Sequence, residues 1–180
     1  MSSLTIYQES SPKPLGVFTE TQDIGRELKS IGVRFRRVDA SVALPDGAGQ
    51  DEVLAAYRSV VDAEKAEHGY NTVDVVRIKP DAPNAAQARQ KFLSEHTHTE
   101  DESRIMVEGS GCFYLHAADK VFQVVCTRGD LISVPEGMRH WFDMGPQPLF
   151  AAIRFFIRPD GWVGNFTGNA IADLFPKYEP

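Results

Sequence analysis

The sequence predicts a mainly β protein with added helices, in which an antiparallel β-barrel of the jelly-roll kind has N-terminal helix and strand elements packed outside it. From about residue 94 onward, short β-rich runs alternate with turn signals, whereas the first 93 residues mix helical and strand patterns. The length of 180 residues corresponds to one domain, since domains contain roughly 100 to 200 residues. We therefore predict a single domain, with N-terminal elements over about 1–93, a barrel core over about 94–160 and a C-terminal tail over 161–180.

Three helices are predicted in the N-terminal part, each opened by a residue that caps helices well. Apolar residues at i, i+4 and i+7 follow the first cap, which forms a capping box with Gln22. The capping residues are Thr19, Asp51 and Asn84, and the helices end near Gly32, Gly69 and Leu93. Two strands are predicted between the helices, over 33–38, where apolar residues alternate with arginine, and over 73–78.

Five β-rich runs are predicted to build the barrel. They cover 104–108, 112–116, 121–127, 131–134 and 149–157. Clusters of glycine, aspartate, serine and proline separate these runs, and short strands at such spacing are typical of an antiparallel sandwich or barrel. One separator, Gly109-Ser110-Gly111, is predicted to be a turn between the first two runs.

Composition narrows the class of protein and its partners. With 42% hydrophobic and 24% charged residues, the chain resembles ordinary folded domains, which argues against disorder and coiled coil. The longest apolar run, 149–153, has five residues, far fewer than the roughly 18 that a membrane span needs. The first residues lack the basic and apolar blocks of a secretory signal, so we predict a soluble cytoplasmic protein. A net charge of −6 argues against nucleic acid as a partner and leaves small molecules.

The two cysteines are too few for a disulfide framework or a four-cysteine zinc site. Cys112 and Cys126 are predicted to be buried thiols, since free cysteine is usually interior.

Two of the five histidines stand out as possible ligands for one ion. His68 closes a charged helix and His116 lies in a strand without acidic or histidine neighbours, so we predict both to be surface or satisfied core side chains. His96 and His98 are two residues apart and point to the same side of an extended segment. Glu102 is also at an even-numbered position and so has the same parity, which means that its side chain points to the same side. These three side chains can therefore reach one metal ion.

Further fixed positions surround this His-x-His pair. The first segment is His96-x-His98-x3-Glu102-x6-Gly109, and the second is Gly129-x5-Pro135-x-Gly137-x2-His140. These two segments resemble the two motifs of the cupin superfamily. The resemblance implies a cupin barrel and a metal centre held by His96, His98, Glu102 and His140.

A more extensive resemblance spans most of the chain. The residues that carry it are Lys91-Phe92-Leu93-x-Glu95-His96-Thr97-His98-x-Glu100-Asp101-Glu102-x-Arg104, the runs 130–135 and 140–145, and Gly161-Trp162 with Phe166-Thr167-Gly168. They resemble the acireductone dioxygenase family of bacterial methionine salvage. That resemblance implies one iron(II) or nickel(II) ion per chain, a monomeric enzyme, and cleavage of the enediol 1,2-dihydroxy-3-keto-5-methylthiopentene by O2.

The same resemblance implies that the products depend on the ion. The iron form is expected to give formate and 4-methylthio-2-oxobutanoate. The nickel form is expected to give formate, carbon monoxide and 3-methylthiopropanoate. Three imidazoles and one carboxylate suit this chemistry, because they leave coordination positions of an octahedral ion open to substrate.

Residues next to the ligands receive further roles. Arg104 shares the parity of Glu102, and its permanent positive charge can compensate the negative charge of the dianion that forms when the enediol loses its protons. Glu95 and Asp101 have the opposite parity to the ligands beside them; the resemblance implies that they support the site through hydrogen bonds to ligand histidines or backbone. Glu100 is expected to be a solvated charge. The apolar wall for a methylthio tail is assigned to Phe92, Phe142 and Trp162.

Two alternative functions remain at this point. One is a cupin isomerase or epimerase acting on a sugar phosphate, which calls for several cations near the site, whereas only Arg139 adds to Arg104. The other is a non-catalytic binding cupin. Such proteins often lack ligands, and this chain has four.

Overall fold

The structure, a computed structural model, describes residues 1–180. It contains eleven β-strands, all in antiparallel pairs, and four α-helices. The strands form two sheets joined through one long strand, with the helices on the outside. A mainly β architecture with added helices is therefore confirmed. None of the helices has the length and apolar character needed to span a lipid bilayer.

The bounds of the elements follow the chain. The strands are β1 (Ser3–Gln8), β2 (Pro14–Phe18), β3 (Arg34–Arg37), β4 (Thr72–Ile78), β5 (His96–Thr97), β6 (Glu102–Ala117), β7 (Lys120–Thr127), β8 (Asp130–Val134), β9 (Arg139–Asp143), β10 (Phe150–Phe156) and β11 (Asn165–Phe166). The helices are α1 (Thr21–Lys29), α2 (Gln50–Ala56), α3 (Arg58–His68) and α4 (Ala85–Phe92), followed by a 3₁₀ helix at Ile171–Leu174.

Strand β6 joins the two sheets. Its first half pairs with β8 and β10, and its second half pairs with β7 and β9. The predicted turn at 109–111 is wrong, because the chain continues as one strand of 16 residues. Gly109 bends it with a φ of +61°, and a Cβ there would lie 1.7 Å from the Leu149 carbonyl oxygen. Glycine is needed here for a close approach of two strands rather than for a hairpin.

The strands of the N-terminal part belong to the sheets instead of lying outside them. β1 pairs with β7, β3 with β8, and β4 with β10. β1 and β2 were not predicted from the sequence, although Leu4 and Ile6 show the alternation of a half-buried strand and are buried. β9 was also not predicted. Only helices are thus added outside the barrel.

The helices differ from prediction at their ends. Helix α1 begins at Thr21, because its first backbone bond runs from the N–H of Ile24 to the carbonyl of Glu20, so Thr19 is not its cap. The single helix predicted from Asp51 is two helices, broken at the buried Tyr57. Gly69 ends α3 in the left-handed conformation, as predicted. Asn84 precedes α4, but its side chain makes no capping hydrogen bond. The predicted cap Asp51 lies in the first turn of α2, whose N-cap is Gly49.

The apolar core lies between the two sheets and includes Phe113, Phe122, Ile132, Phe142 and Phe150. A second apolar layer packs α2 and α3 against the outer face of β6 and β10. Met106 belongs to the core, whereas Ile105 and Val107 belong to the outer layer. Because strand side chains alternate, the even-numbered residues at the start of β6 point into the barrel. Cys112 and Cys126 are buried and unpaired, as predicted.

Candidate metal centre

Three histidines converge at one end of the barrel. His96 on β5 pairs directly with His140 on β9, and His98 follows two residues after His96. One potential ligand atom of each of the three side chains lies within 4.8 Å of the others, and all three residues are buried. Glu102 opens β6 beside them, with Oε2 3.0 Å from His140 Nε2 and 3.6 Å from His98 Nε2.

Backbone carbonyls fix the orientation of the three imidazoles. Each Nδ1 lies within hydrogen-bond distance of one carbonyl oxygen, and a carbonyl can only accept, so each Nδ1 carries the hydrogen. The acceptors for His96, His98 and His140 are Ser94, Val163 and Met138, at 2.8, 3.0 and 2.8 Å. Each Nε2 therefore presents a lone pair, which is the arrangement that metal-binding histidines require.

These lone pairs have no partner within the protein. The Nε2 atoms of His98 and His140 and the Oε2 atom of Glu102 are buried without a hydrogen bond. Two acceptors 3.0 Å apart repel each other unless a proton or a cation lies nearby. The residues thus fit a metal ion, which would be bound by His96, His98, His140 and Glu102.

Arg104 holds the other oxygen of Glu102. Its buried guanidinium donates to Glu102 Oε1, and it lies 5.3 Å from the ring centres of both Phe113 and Phe142. Burial is the largest single influence on the pKa of Glu102 and raises it, but Arg104, His140 and His98 together outweigh burial, so this pKa lies well below its usual value. Glu102 is consequently ionised and suited to binding a cation.

Two of the histidines, His96 and His98, are held neutral. Burial, aided by His140, lowers the pKa of His96 from 6.5 to about 4. Burial also lowers the pKa of His98, against the opposing charge of Glu102. Because only neutral imidazole binds a metal, the site is prepared for an ion at neutral pH.

Lowering the pH from 6.5 to 4 is expected to destabilise the metal-free protein. In this window the unfolded chain binds a proton at His96, whereas the folded chain, with a pKa of about 4, does not. The free energy of unfolding should fall as the pH falls, by on the order of 3 kcal/mol. Urea unfolding of the metal-free wild type and of a His96→Gln variant at several pH values measures the difference. Equal pH slopes for the two proteins would contradict the assignment.

A cavity of about 240 Å³ opens beside the histidines. Phe92, Trp162, Val163 and Phe166 line it together with His96 and His98. Two of the three residues predicted to form an apolar wall, Phe92 and Trp162, thus lie at this cavity. Phe142 does not line it: this ring is 2% exposed and packs in the core beneath Arg104.

The acidic residues beside the ligands have distinct partners. Glu95 contacts His116 and Thr167 rather than a ligand histidine. Asp101 is exposed, and its carboxylate accepts a hydrogen bond from the Glu136 backbone N–H at 2.9 Å.

Glu100 is buried, so the expectation of a solvated charge is wrong. Its carboxylate accepts from the backbone N–H groups of Ile157 and Arg158, which have no ladder partner after β10 ends. Gly161 packs directly on it, since a Cβ there would lie 1.3 Å from Glu100 Oε1.

A second group of potential ligands, Glu64, Glu67 and His68, lies on α3. There the carboxylate of Glu64 already lies 2.5 Å from Arg36 and 3.5 Å from Arg34. Two guanidinium charges beside the same carboxylate disfavour a cation. The barrel site is therefore the better metal centre.

The comparisons with known proteins agree with this geometry. The chain matches the model of the ARD/ARD′ family over residues 7–164. It is 53% identical to an acireductone dioxygenase of Stenotrophomonas maltophilia over 184 residues, covering 100% of this chain and 98% of that protein. It is 52% identical to an acireductone dioxygenase of Pseudomonas aeruginosa over 180 residues, covering 99% of each.

One solved structure extends the similarity to the fold. Acireductone dioxygenase from Bacillus anthracis, with a cadmium ion in its active centre, superposes with a TM-score of 0.82 at 28% identity. The match covers 92% of this chain and 98% of that one. The predicted cupin-type barrel is thereby confirmed.

Proposed function

This chain belongs to the ARD/ARD′ family, and on that premise we propose that it cleaves an acireductone, 1,2-dihydroxy-3-keto-5-methylthiopentene, with O2. The observation that carries the proposal is the set of buried, unpartnered lone pairs of His98, His140 and Glu102 beside an apolar cavity. We further propose iron(II) or nickel(II) as the bound ion, since nitrogen and oxygen donors together suit both.

The residues of the chain prepare the site for an anionic substrate. A bound ion would supply Lewis acidity that favours the deprotonated enediol. The imidazole ligands of His96, His98 and His140 are neutral, so Glu102 contributes the only charge among the ligands. Arg104 partly neutralises that negative charge. Arg104 also keeps a buried Nε–H without a partner. The side chains around the ion thus leave room for further negative charge.

The cavity walls suit a small substrate with an apolar tail. The cavity volume of about 240 Å³ lies just below the range of roughly 300 to 1,000 Å³ that is typical of ligand pockets. Phe92 and Trp162 present aromatic surface to it, and Lys91 lies 5.8 Å from the centre of the Trp162 ring, at the same cavity. We propose that the aromatic side chains hold the methylthio group and exclude water.

The products are expected to change with the ion. The protein is stripped of metal, reloaded separately with iron(II) and nickel(II), and supplied with the enediol in air. Oxygen uptake should occur in both forms. The iron form should yield formate and 4-methylthio-2-oxobutanoate, and the nickel form should also yield carbon monoxide in the headspace, with 3-methylthiopropanoate. The two forms share the same ligands, so the difference has to come from how substrate sits on each ion.

Metal-free protein and zinc-loaded protein serve as controls for this experiment. Carbon monoxide from both forms or from neither would contradict the metal-dependent products and leave the dioxygenase proposal standing. Absence of oxygen uptake in every form would overturn the dioxygenase proposal itself. We also propose, from the resemblance, that the enzyme acts as a cytoplasmic monomer, which sedimentation of the metal-loaded protein tests for its oligomeric state.

A further inference from the structure

His116 occupies an unusual position for a residue outside the metal centre. It is 3% exposed and lies on β6. Its Nδ1 is 2.6 Å from Glu95 Oε1 and its Nε2 is 2.9 Å from Glu9 Oε2. Carboxylate oxygens only accept hydrogen bonds when ionised, so the two contacts require two protons among the three groups.

The inner carboxylate of this trio is fully enclosed. The Glu95 side chain is 0% exposed, whereas the Glu9 side chain is 41% exposed. A buried carboxylate is costly unless hydrogen bonds satisfy it. Glu95 has two such bonds, from His116 and from the hydroxyl of Thr167, whose Oγ1 lies 2.5 Å from Oε2. His116 is therefore one of two groups that fix the direction of the Glu95 side chain.

Glu95 in turn anchors a segment that lies over the metal centre, residues 161–168, here called the covering segment. Thr167 is its point of attachment to Glu95: besides the side-chain bond, the Thr167 N–H donates to the Glu95 carbonyl at 3.0 Å. β11, within the covering segment, pairs with β5 through Phe166 and His96.

The covering segment touches two of the proposed ligands directly. The Val163 carbonyl accepts from His98 Nδ1 at 3.0 Å and so orients that ring. Gly164 packs on the other ring, since a Cβ there would lie 3.2 Å from His96 Cδ2. Trp162 and Phe166 of the same segment form part of the cavity wall. The position of this segment therefore sets both a ligand orientation and the shape of the cavity.

We propose that His116 is a positioning residue, which holds Glu95 between itself and Thr167 and thereby keeps the covering segment seated over the metal centre and cavity. The inference deepens the proposed function, because it assigns the seating of the substrate wall to a residue that touches neither substrate nor metal. A histidine suits this role because it can donate from both ring nitrogens at once, to an inner and an outer carboxylate.

Tryptophan quenching tests the position of the covering segment without catalysis. The chain has two tryptophans: Trp141 is 1% exposed, whereas Trp162 of the covering segment is 48% exposed. In metal-free protein, His116→Asn and Thr167→Val should each raise the acrylamide quenching constant, because Glu95 loses one of the two side-chain hydrogen bonds that fix it, and the segment is then held less firmly. Thr167 is exposed, so its variant leaves the core intact and decides the matter if His116→Asn does not fold.

Kinetics test the consequence for substrate. In metal-loaded protein both variants should lower kcat/KM about tenfold, mainly through a higher KM, because the cavity wall is displaced while the ion itself still holds the His98 ring that Val163 orients. This kinetic comparison rests on the proposed function, whereas the quenching comparison does not. Absent turnover in the wild type would therefore count against the function alone.

Glu64→Gln is the matched control. Glu64 is also a fully buried carboxylate with charged partners, but it lies on α3, away from the covering segment. This variant should lower the melting temperature while leaving the quenching constant and KM at wild-type values. The proposal is overturned if quenching is unchanged in both His116→Asn and Thr167→Val, or if Glu64→Gln raises quenching and KM to the same extent.

Discussion

Replacing His98 with alanine is expected to remove most of the bound metal and to lower the oxygenase rate at least a hundredfold, to judge from losses of about 10- to 100-fold for supporting residues alone. His98 Nε2 is buried and has no protein partner, so its lone pair is available only to an ion. Elemental analysis and oxygen uptake on the same preparation measure the two losses. The metal-loaded wild type should also melt at a higher temperature than the variant, because an ion that binds only the folded state stabilises it.

His68→Ala is the matched control for this prediction. His68 is the histidine of the second potential cluster, beside Glu64, and the arginines there disfavour a cation. This variant should keep about one ion per chain and the full rate. If His68→Ala lost the metal and His98→Ala kept it, the metal centre would have been assigned to the wrong end of the molecule.

The close approach of the proposed ligands could be predicted from the sequence because it depends on short-range rules. Side chains that are two positions apart in an extended segment lie on the same face, and this rule places His96 and His98 together. Glu102 points toward the two histidines, as its even-numbered position predicted, because β6 begins there and its first even-numbered residues point into the barrel. His140 required the motif resemblance, since no local rule brings a residue 38 to 44 positions away in sequence to the same point.

Features that rest on backbone atoms or on distant pairs could not be predicted. The bond between His98 and the Val163 carbonyl uses a group that every residue has, so no side-chain pattern signals it. His116 and Glu95 are 21 residues apart, and only the pairing of β9 with both β5 and β6 brings them together. Glu100 was expected in solvent because nothing in the sequence shows that two N–H groups beyond β10 need an acceptor.

Some errors in the fold have a similar origin. Gly109 has the sequence context of a turn, and only the crossing of Leu149 shows that the glycine serves a close strand approach. The break at Tyr57 between α2 and α3 carries no proline or glycine. Tyr57 is buried against the outer face of the barrel sheet, and tertiary packing of this kind overrides local helix propensity.

Arg104 has two tasks, of which the sequence predicted one. The predicted task is to compensate the negative charge of the substrate dianion. In the structure the guanidinium also donates to Glu102 and is enclosed between two phenylalanine rings. Burial, opposed by Glu102, lowers the pKa of Arg104, but an arginine stays protonated in proteins. Its Nε–H is buried without a partner, which leaves a donor for a further anionic group.

Replacing Arg104 with alanine is therefore expected to lower kcat/KM by about a hundredfold, while metal content at neutral pH stays near that of the wild type. The metal is retained because the three histidines are unchanged and the ion itself keeps Glu102 ionised. Arg104→Lys should recover part of the rate, since it restores the charge but not the planar arrangement of donors. Elemental analysis, kcat and KM measured on the three proteins separate the two tasks. A normal kcat/KM for Arg104→Ala would show that the guanidinium has no role with substrate, and loss of metal from that variant would show that its main task is to hold Glu102.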